Sequence, residues 1–132
     1  MKTLLLAGAL VLVALHGSPG ATQPKNGVAS WYGEAQRGKR MANGDKFDPD
    51  KLTAASWFYP LGTKVRVTTD APDRDQRAIT VTITDRGPAW RLVRRKRIID
   101  LTETAFKELA HPDLGLIHVQ VQREPAPVSP RF

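Results

Sequence analysis

Two stretches of this chain alternate strictly between apolar and polar positions. In residues 63–69, Val65 and Val67 fall on one face and Lys64, Arg66 and Thr68 on the other. In residues 78–84, Ile79, Val81 and Ile83 alternate with Thr80, Thr82 and Thr84. A period of two marks a strand with one buried face. The Asp-, Pro- and Arg-rich segment 70–76 between them reads as a turn, so the pair is expected to form a hairpin. Residues 116–122 repeat the pattern with Ile117, Val119 and Val121. Residues 27–33, 52–55 and 97–101 are shorter extended candidates, and 34–50 reads as a long loop with Gly38, Gly44 and Pro49. The spacing predicts a helix over 102–110. Thr102 is its N-cap, Glu103 favours the positive end of the dipole, Ala105, Phe106, Leu109 and Ala110 form one stripe, and Pro112 stops it. About six short strands and one short helix, joined by irregular loops, predict a mainly β, small closed barrel.

The first residues follow a different pattern. Lys2 precedes an apolar run over residues 4–15, and the small residues Gly17, Ser18 and Gly20 follow it. The run is shorter than the roughly 20 residues that span a bilayer. It reads as a secretory signal over 1–20, then a short leader over 21–26. The domain is expected over 27–122. The three prolines of 123–132 predict a disordered tail. The mature chain is expected to be periplasmic or secreted, soluble, without a stable membrane anchor, and monomeric.

At 132 residues the chain holds one domain. It has no Cys, which excludes a disulfide scaffold, thiolate metal sites, a cysteine nucleophile and a lipidated cysteine. Twenty Lys and Arg against 13 Asp and Glu give a net charge of +7. Five of those cations crowd into residues 91–97. That run fits a solvated loop or a contact with a polyanion, such as stem-peptide carboxylates, anionic headgroups or an acidic partner. Nucleic acid is not expected as a partner of an exported chain. The three histidines show no metal-ligand spacing, and no phosphate-binding glycine loop or nucleophile elbow occurs, so neither a metal nor a cofactor is expected.

Asp85 ends an alternating strand just before Gly87-Pro88, where a side chain can project into a groove. The plain alternative is a turn-forming Asp that bonds backbone amides. Asp45 lies in the turn-prone Asn43-Gly44-Asp45. Ser56 can donate and accept a hydrogen bond but cannot titrate as His does. Trp31, Tyr32, Trp57, Phe58 and Tyr59 offer faces for sugar rings or for a barrel core. Asp100 reads as a buried Asp that bonds loop amides.

The motifs Ala29-Ser30-Trp31-Tyr32-Gly33, Ala42-Asn43-Gly44, Phe47-Asp48, Leu52-Thr53-Ala54-Ala55, Pro60-Leu61-Gly62-Thr63, Val65-Arg66-Val67-Thr68, Asp85-Arg86-Gly87-Pro88 and Ile99-Asp100-Leu101 stand here in one order. In these the chain resembles the rare-lipoprotein-A-like septal lytic transglycosylases. The resemblance spans residues 27–122. It implies a six-stranded double-psi β-barrel and cleavage of peptidoglycan between N-acetylmuramic acid and N-acetylglucosamine, with a 1,6-anhydro end. It also implies Asp85 as the catalytic acid and base, with Asp45 standing where the family has Glu and Ser56 where it has His. Asp45 is then the expected helper carboxylate. Ser56, Trp57, Tyr59, Arg86, Trp31 and Tyr32 are the expected substrate contacts. Two other readings remain open on this fold: a non-catalytic, expansin-like glycan-binding module, and a hydrolase that uses Asp85 and Asp45 as an inverting pair.

Overall fold

The strands close on themselves. The computed structural model describes residues 23–71 and 75–125. Six strands, β1 (Lys25–Tyr32), β2 (Thr53–Ala55), β3 (Lys64–Thr69), β4 (Ala78–Asp85), β5 (Arg97–Thr102) and β6 (Ile117–Arg123), form a closed barrel in the order β1-β5-β2-β4-β3-β6. β1 and β5 run parallel, as do β2 and β4, and the other neighbours are antiparallel.

Alternation sets the register. Val65 pairs with Val81 and Val67 with Ile79 across the β3–β4 hairpin, and Val67 also faces Val121 on β6. All of these side chains turn inward with Ile83, Ile99, Leu101 and Val119. Helix α2 (Glu103–Leu109) covers the core with Phe106, whose ring is fully buried. Thr102 caps it: the Oγ1 accepts from the Ala105 amide at 3.2 Å and donates to the Lys51 carbonyl at 2.6 Å. One hydroxyl thus fixes the helix start and the approach to β2. Gly27 lies where β1 meets β5. A Cβ there would stand 2.7 Å from the Lys96 carbonyl oxygen and 2.8 Å from the Ile98 side chain, so only glycine fits.

Three boundaries differ from the sequence reading. A second short helix, α1 (Trp90–Val93), occupies the start of the basic stretch; one turn is too short for periodicity to reveal. β1 begins at Lys25, before the expected domain start, because Lys25 and Asn26 pair with Val121 and Gln120. At the other end Arg123 pairs with Val65, and the Glu124 amide donates to the Lys64 carbonyl, so the first residues of the expected tail are sheet. The expected signal segment 1–20 lies outside the described residues, as does 126–132 of the expected tail. Among the described residues no helix is long and apolar enough to cross a membrane.

Candidate functional site

β4 and β5 flank β2, and Ala55 on β2 is the register partner of both Asp85 and Asp100. A cavity of about 280 Å³ opens over this row. Tyr32, Ala55, Asp85, Arg86 and Asp100 line it from the barrel, and Gln36, Lys39, Arg40, Met41 and Phe47 from the 34–50 loop. The loop is braced within itself by backbone bonds from Gly38 to the Phe47 carbonyl and from Phe47 to the Lys39 carbonyl. Phe47 is buried and stacks on Tyr32, with ring centroids 4.4 Å apart. The volume is near the lower end of ligand clefts, roughly 300 Å³, with room for a sugar ring.

The Asp85 carboxyl is held on one side only. Its Oδ1 accepts from the Ala42 amide at 2.9 Å and from the Arg86 amide at 2.8 Å. Its Oδ2 takes no hydrogen bond among the described residues, and the side chain lines the cavity. The same contact fixes the loop, because the Asn43 amide donates to the Thr84 carbonyl beside it. Arg86 does not pair with its neighbour. Its guanidinium donates to the Ser56 and Tyr59 carbonyls at 2.8 and 2.6 Å and so pins the aromatic turn 56–59.

Asp100 corrects the sequence reading. Among the described residues it bonds no loop amide. Its Oδ1 accepts from the Ser30 hydroxyl and lies 3.4 Å from Arg97 Nε, which also donates to Ser30 Oγ at 2.8 Å. Tyr32 completes the group. Its hydroxyl is buried and, among the described residues, has no hydrogen-bond partner. Burial first, then the charges of Asp85 and Asp100, push its phenol well above the usual tyrosine range. Such a hydroxyl stays protonated, and donating to a ligand requires that the seal around it open.

The other expected site residues lie elsewhere. Asp45 is exposed at the tip of a small hairpin, where Gly44 has a φ of 93°. Its carboxylate accepts from Asn43 Nδ2 at 3.1 Å, and it is not among the cavity-lining residues. Ser56 is fully buried and out of reach of a substrate. It donates to the Ile98 carbonyl on β5 and accepts from the Phe58 amide in its own turn, so a hydroxyl closed off from water is satisfied on both counts. Trp31 is packed against the core, tilted on Phe106, and its indole N–H donates to the Pro112 carbonyl. Tyr59 also packs against the core, and burial raises its phenol. Trp57 is exposed, outside the cavity, and stacks on Trp90, a residue that no motif singles out.

A larger recess of about 890 Å³ lies between the β3–β4 connection and the α2–β6 segment, with Asp70, Asp75, Arg77, Lys107, His111 and His118 in its lining. Each of these is exposed. The buried, unpartnered Tyr32 hydroxyl and the two strand-borne carboxyls are in the smaller cavity, so the chemistry points there rather than to the larger volume.

A family model described as lytic transglycolase matches residues 24–121. The endolytic peptidoglycan transglycosylase RlpA of Rickettsia felis is 36% identical over 104 residues, covering 76% of this chain and 42% of that protein. The protein of the same name in Pseudomonas aeruginosa is 37% identical over 97 residues, covering 73% of this chain and 26% of that protein. This chain therefore spans less than half the length of either relative. Among solved structures, the Streptomyces papain inhibitor matches with a TM-score of 0.59 at 23% identity, covering 80% of this chain and 97% of that one. A Clavibacter michiganensis expansin in complex with cellohexaose matches with a TM-score of 0.59 at 19% identity, over 82% of this chain and 54% of that one. Together with the family match, these bear out the six-stranded double-psi β-barrel.

Proposed function

Because this chain belongs to the lytic transglycolase family, we propose that it cleaves peptidoglycan glycan strands by lytic transglycosylation, with Asp85 as acid and then base. One observation carries the reading. The Asp85 carboxyl is anchored through Oδ1 alone, beside a second carboxyl and an unpartnered tyrosine hydroxyl in a cavity that fits a sugar ring.

The Asp85 carboxylic acid gives its proton to the oxygen that bridges N-acetylmuramic acid and N-acetylglucosamine. The C1–O bond breaks, its electrons go to that oxygen, and the muramoyl ring takes on oxocarbenium character. The muramoyl C6 hydroxyl attacks C1 and returns its proton to the Asp85 carboxylate. No water is consumed, and a 1,6-anhydro end remains. Asp100 takes the role that the sequence assigns to Asp45. Held by Ser30 and Arg97, its fixed negative charge faces the cation that develops at C1. Tyr32, once the seal around it opens, donates to a sugar hydroxyl, and Lys39 and Arg40 border the cavity as positive charges.

This chemistry belongs outside the cytoplasm, against the cell wall, in accord with a secretory signal over 1–20. A second reading, a module that holds glycan without cleaving it, is favoured by Asp45 and Ser56 standing where the family carries Glu and His. Mass spectrometry of the soluble products from purified sacculi separates the two. Anhydro-ended fragments, one water lighter than reducing ones, are expected. Reducing ends would indicate a hydrolase, and sacculus binding without soluble product would select the binding module.

A further inference from the structure

Charge is segregated along this chain. Segments 24–33, 51–61 and 86–99 contain no Asp or Glu, and the last of them holds six of the 20 Lys and Arg. The fold brings the three together on one face. Trp57 and Trp90 stack at the surface, with ring centroids 4.7 Å apart. The Arg94 amide donates to the Trp90 carbonyl, so Arg94 stands one turn along from the stack. The Lys96 carbonyl accepts from the Val28 amide and ties the end of the basic stretch to β1. At the start of β1 the Lys25 ammonium lies 4.0 Å from the centre of the Phe58 ring, beside Trp57 in the chain.

Both the cations and the rings of this face are left open to water. Arg91, Arg94, Arg95 and Lys96 are exposed, and among the described residues none has a carboxylate within 4.0 Å. Arg37, Arg97 and Lys107, by contrast, are ion-paired. Four cations within six positions repel one another, and an anionic surface relieves that repulsion. Trp57, Phe58 and Trp90 are 38%, 39% and 59% exposed. Exposed aromatics rimmed by polar groups mark an interaction surface. One face of each ring is already covered, by the other indole or by the Lys25 ammonium, and no base or sugar ring can enter between indoles this close. Indoles flanked by arginine and lysine suit the boundary between headgroups and acyl chains. The secretory signal expected over 1–20 takes the chain across a membrane and away from nucleic acid.

We infer that the Trp57–Trp90 stack and the cations Arg91, Arg94, Arg95 and Lys96 form a peripheral docking surface for an anionic phospholipid bilayer. The indoles settle at headgroup depth, and the arginine forks take lipid phosphates. The contact is electrostatic and reversible, and it weakens with salt. None of these six residues lines the Asp85 cavity, so the inference stands apart from the catalytic reading.

The test is binding to vesicles of phosphatidylcholine mixed with phosphatidylglycerol, beside vesicles of phosphatidylcholine alone, at low and high salt. The protein spans residues 21–132, which hold the whole closed barrel, so the apolar run over 4–15 does not itself bind lipid. Sedimentation measures affinity, and tryptophan emission shows whether the indoles leave water. The anionic vesicles are expected to bind at least about tenfold more tightly at low salt than at high salt, with a shift of emission to the blue. Arg91→Gln/Arg94→Gln/Arg95→Gln/Lys96→Gln is expected to lose about 10²-fold on them at low salt. Trp90→Ala is expected to lose about tenfold and to keep its salt dependence. Matched circular dichroism spectra establish that both variants fold. Equal binding to neutral and anionic vesicles, unchanged binding by the quadruple variant, binding with no change of emission, or tighter binding to a single-stranded oligonucleotide at the same salt would overturn the inference.

Discussion

Asp85 and Asp100 stand in one cross-strand row on either side of Ala55, the first in parallel register from β4 and the second in antiparallel register from β5. Two strand spacings set their backbones about 10 Å apart. Only a methyl group lies between them, so their carboxyls share a single cavity. The two are supported differently. Backbone amides hold Asp85, whereas Ser30 and Arg97 hold Asp100. Filling the gap is expected to stop the reaction: Ala55→Leu should abolish product release and cost about 1–3 kcal/mol through overpacking. A turnover assay on sacculi and a denaturant midpoint measure the two effects.

Asp100→Asn keeps the shape of the side chain and removes its charge. Product release is expected to fall by about 10² or more while the fold persists. Asp45→Asn, at an exposed turn outside the cavity, is expected to stay within about threefold of wild type. Initial rates on one sacculus preparation compare them. Equal losses would return the helper role to Asp45.

Tyr32 ties stability to pH. The folded chain holds its phenol proton more tightly than the unfolded chain, which releases it near pH 10. A folded-state pKa above the unfolded one contributes stability in full below that pH, and the contribution is lost as pH rises past it. Tyr59 adds a shift of the same direction. Urea midpoints are therefore expected to decline above about pH 10. Tyr32→Phe should flatten that decline. At pH 7 the same variant is expected to stay within about 1 kcal/mol of wild type, because it removes a buried hydroxyl that has no partner. Its turnover should nevertheless drop, and kinetics at pH 7 measure that loss.

Thr102 and Phe106 carry the lid of the barrel. Phe106→Ala empties a fully buried site and is expected to cost about 3–5 kcal/mol. Thr102→Ala removes the α2 cap and the bond to the Lys51 carbonyl, for about 1–3 kcal/mol. Thermal or denaturant unfolding measures both.

The barrel was legible where one face of a strand meets the core. Val65, Val67, Ile79, Val81, Val119 and Val121 announce three strands by period alone, and all six are buried. Thr102 was legible as a cap because its neighbours in sequence are its partners in space. Asp100 was not. Its spacing from Asp85 carries no signal, and only the crossing of β2 between β4 and β5 brings the two together. Ser56 misled for the opposite reason: it follows a recognisable motif, yet its hydroxyl is used up between the Ile98 carbonyl and the Phe58 amide. Trp90 left one faint trace, an aromatic residue two positions after Gly87-Pro88 and just before a run of cations.

If Asp85 is the acid, its proton breaks the glycosidic bond and its removal stops the reaction. The most direct measurement is release of anhydro-muropeptides from sacculi by wild-type protein and by Asp85→Asn, with matched circular dichroism spectra. Anhydro products are expected from the wild type, with a loss of at least about 10³-fold in the folded variant. A folded Asp85→Asn protein that releases them at the wild-type rate would contradict that role.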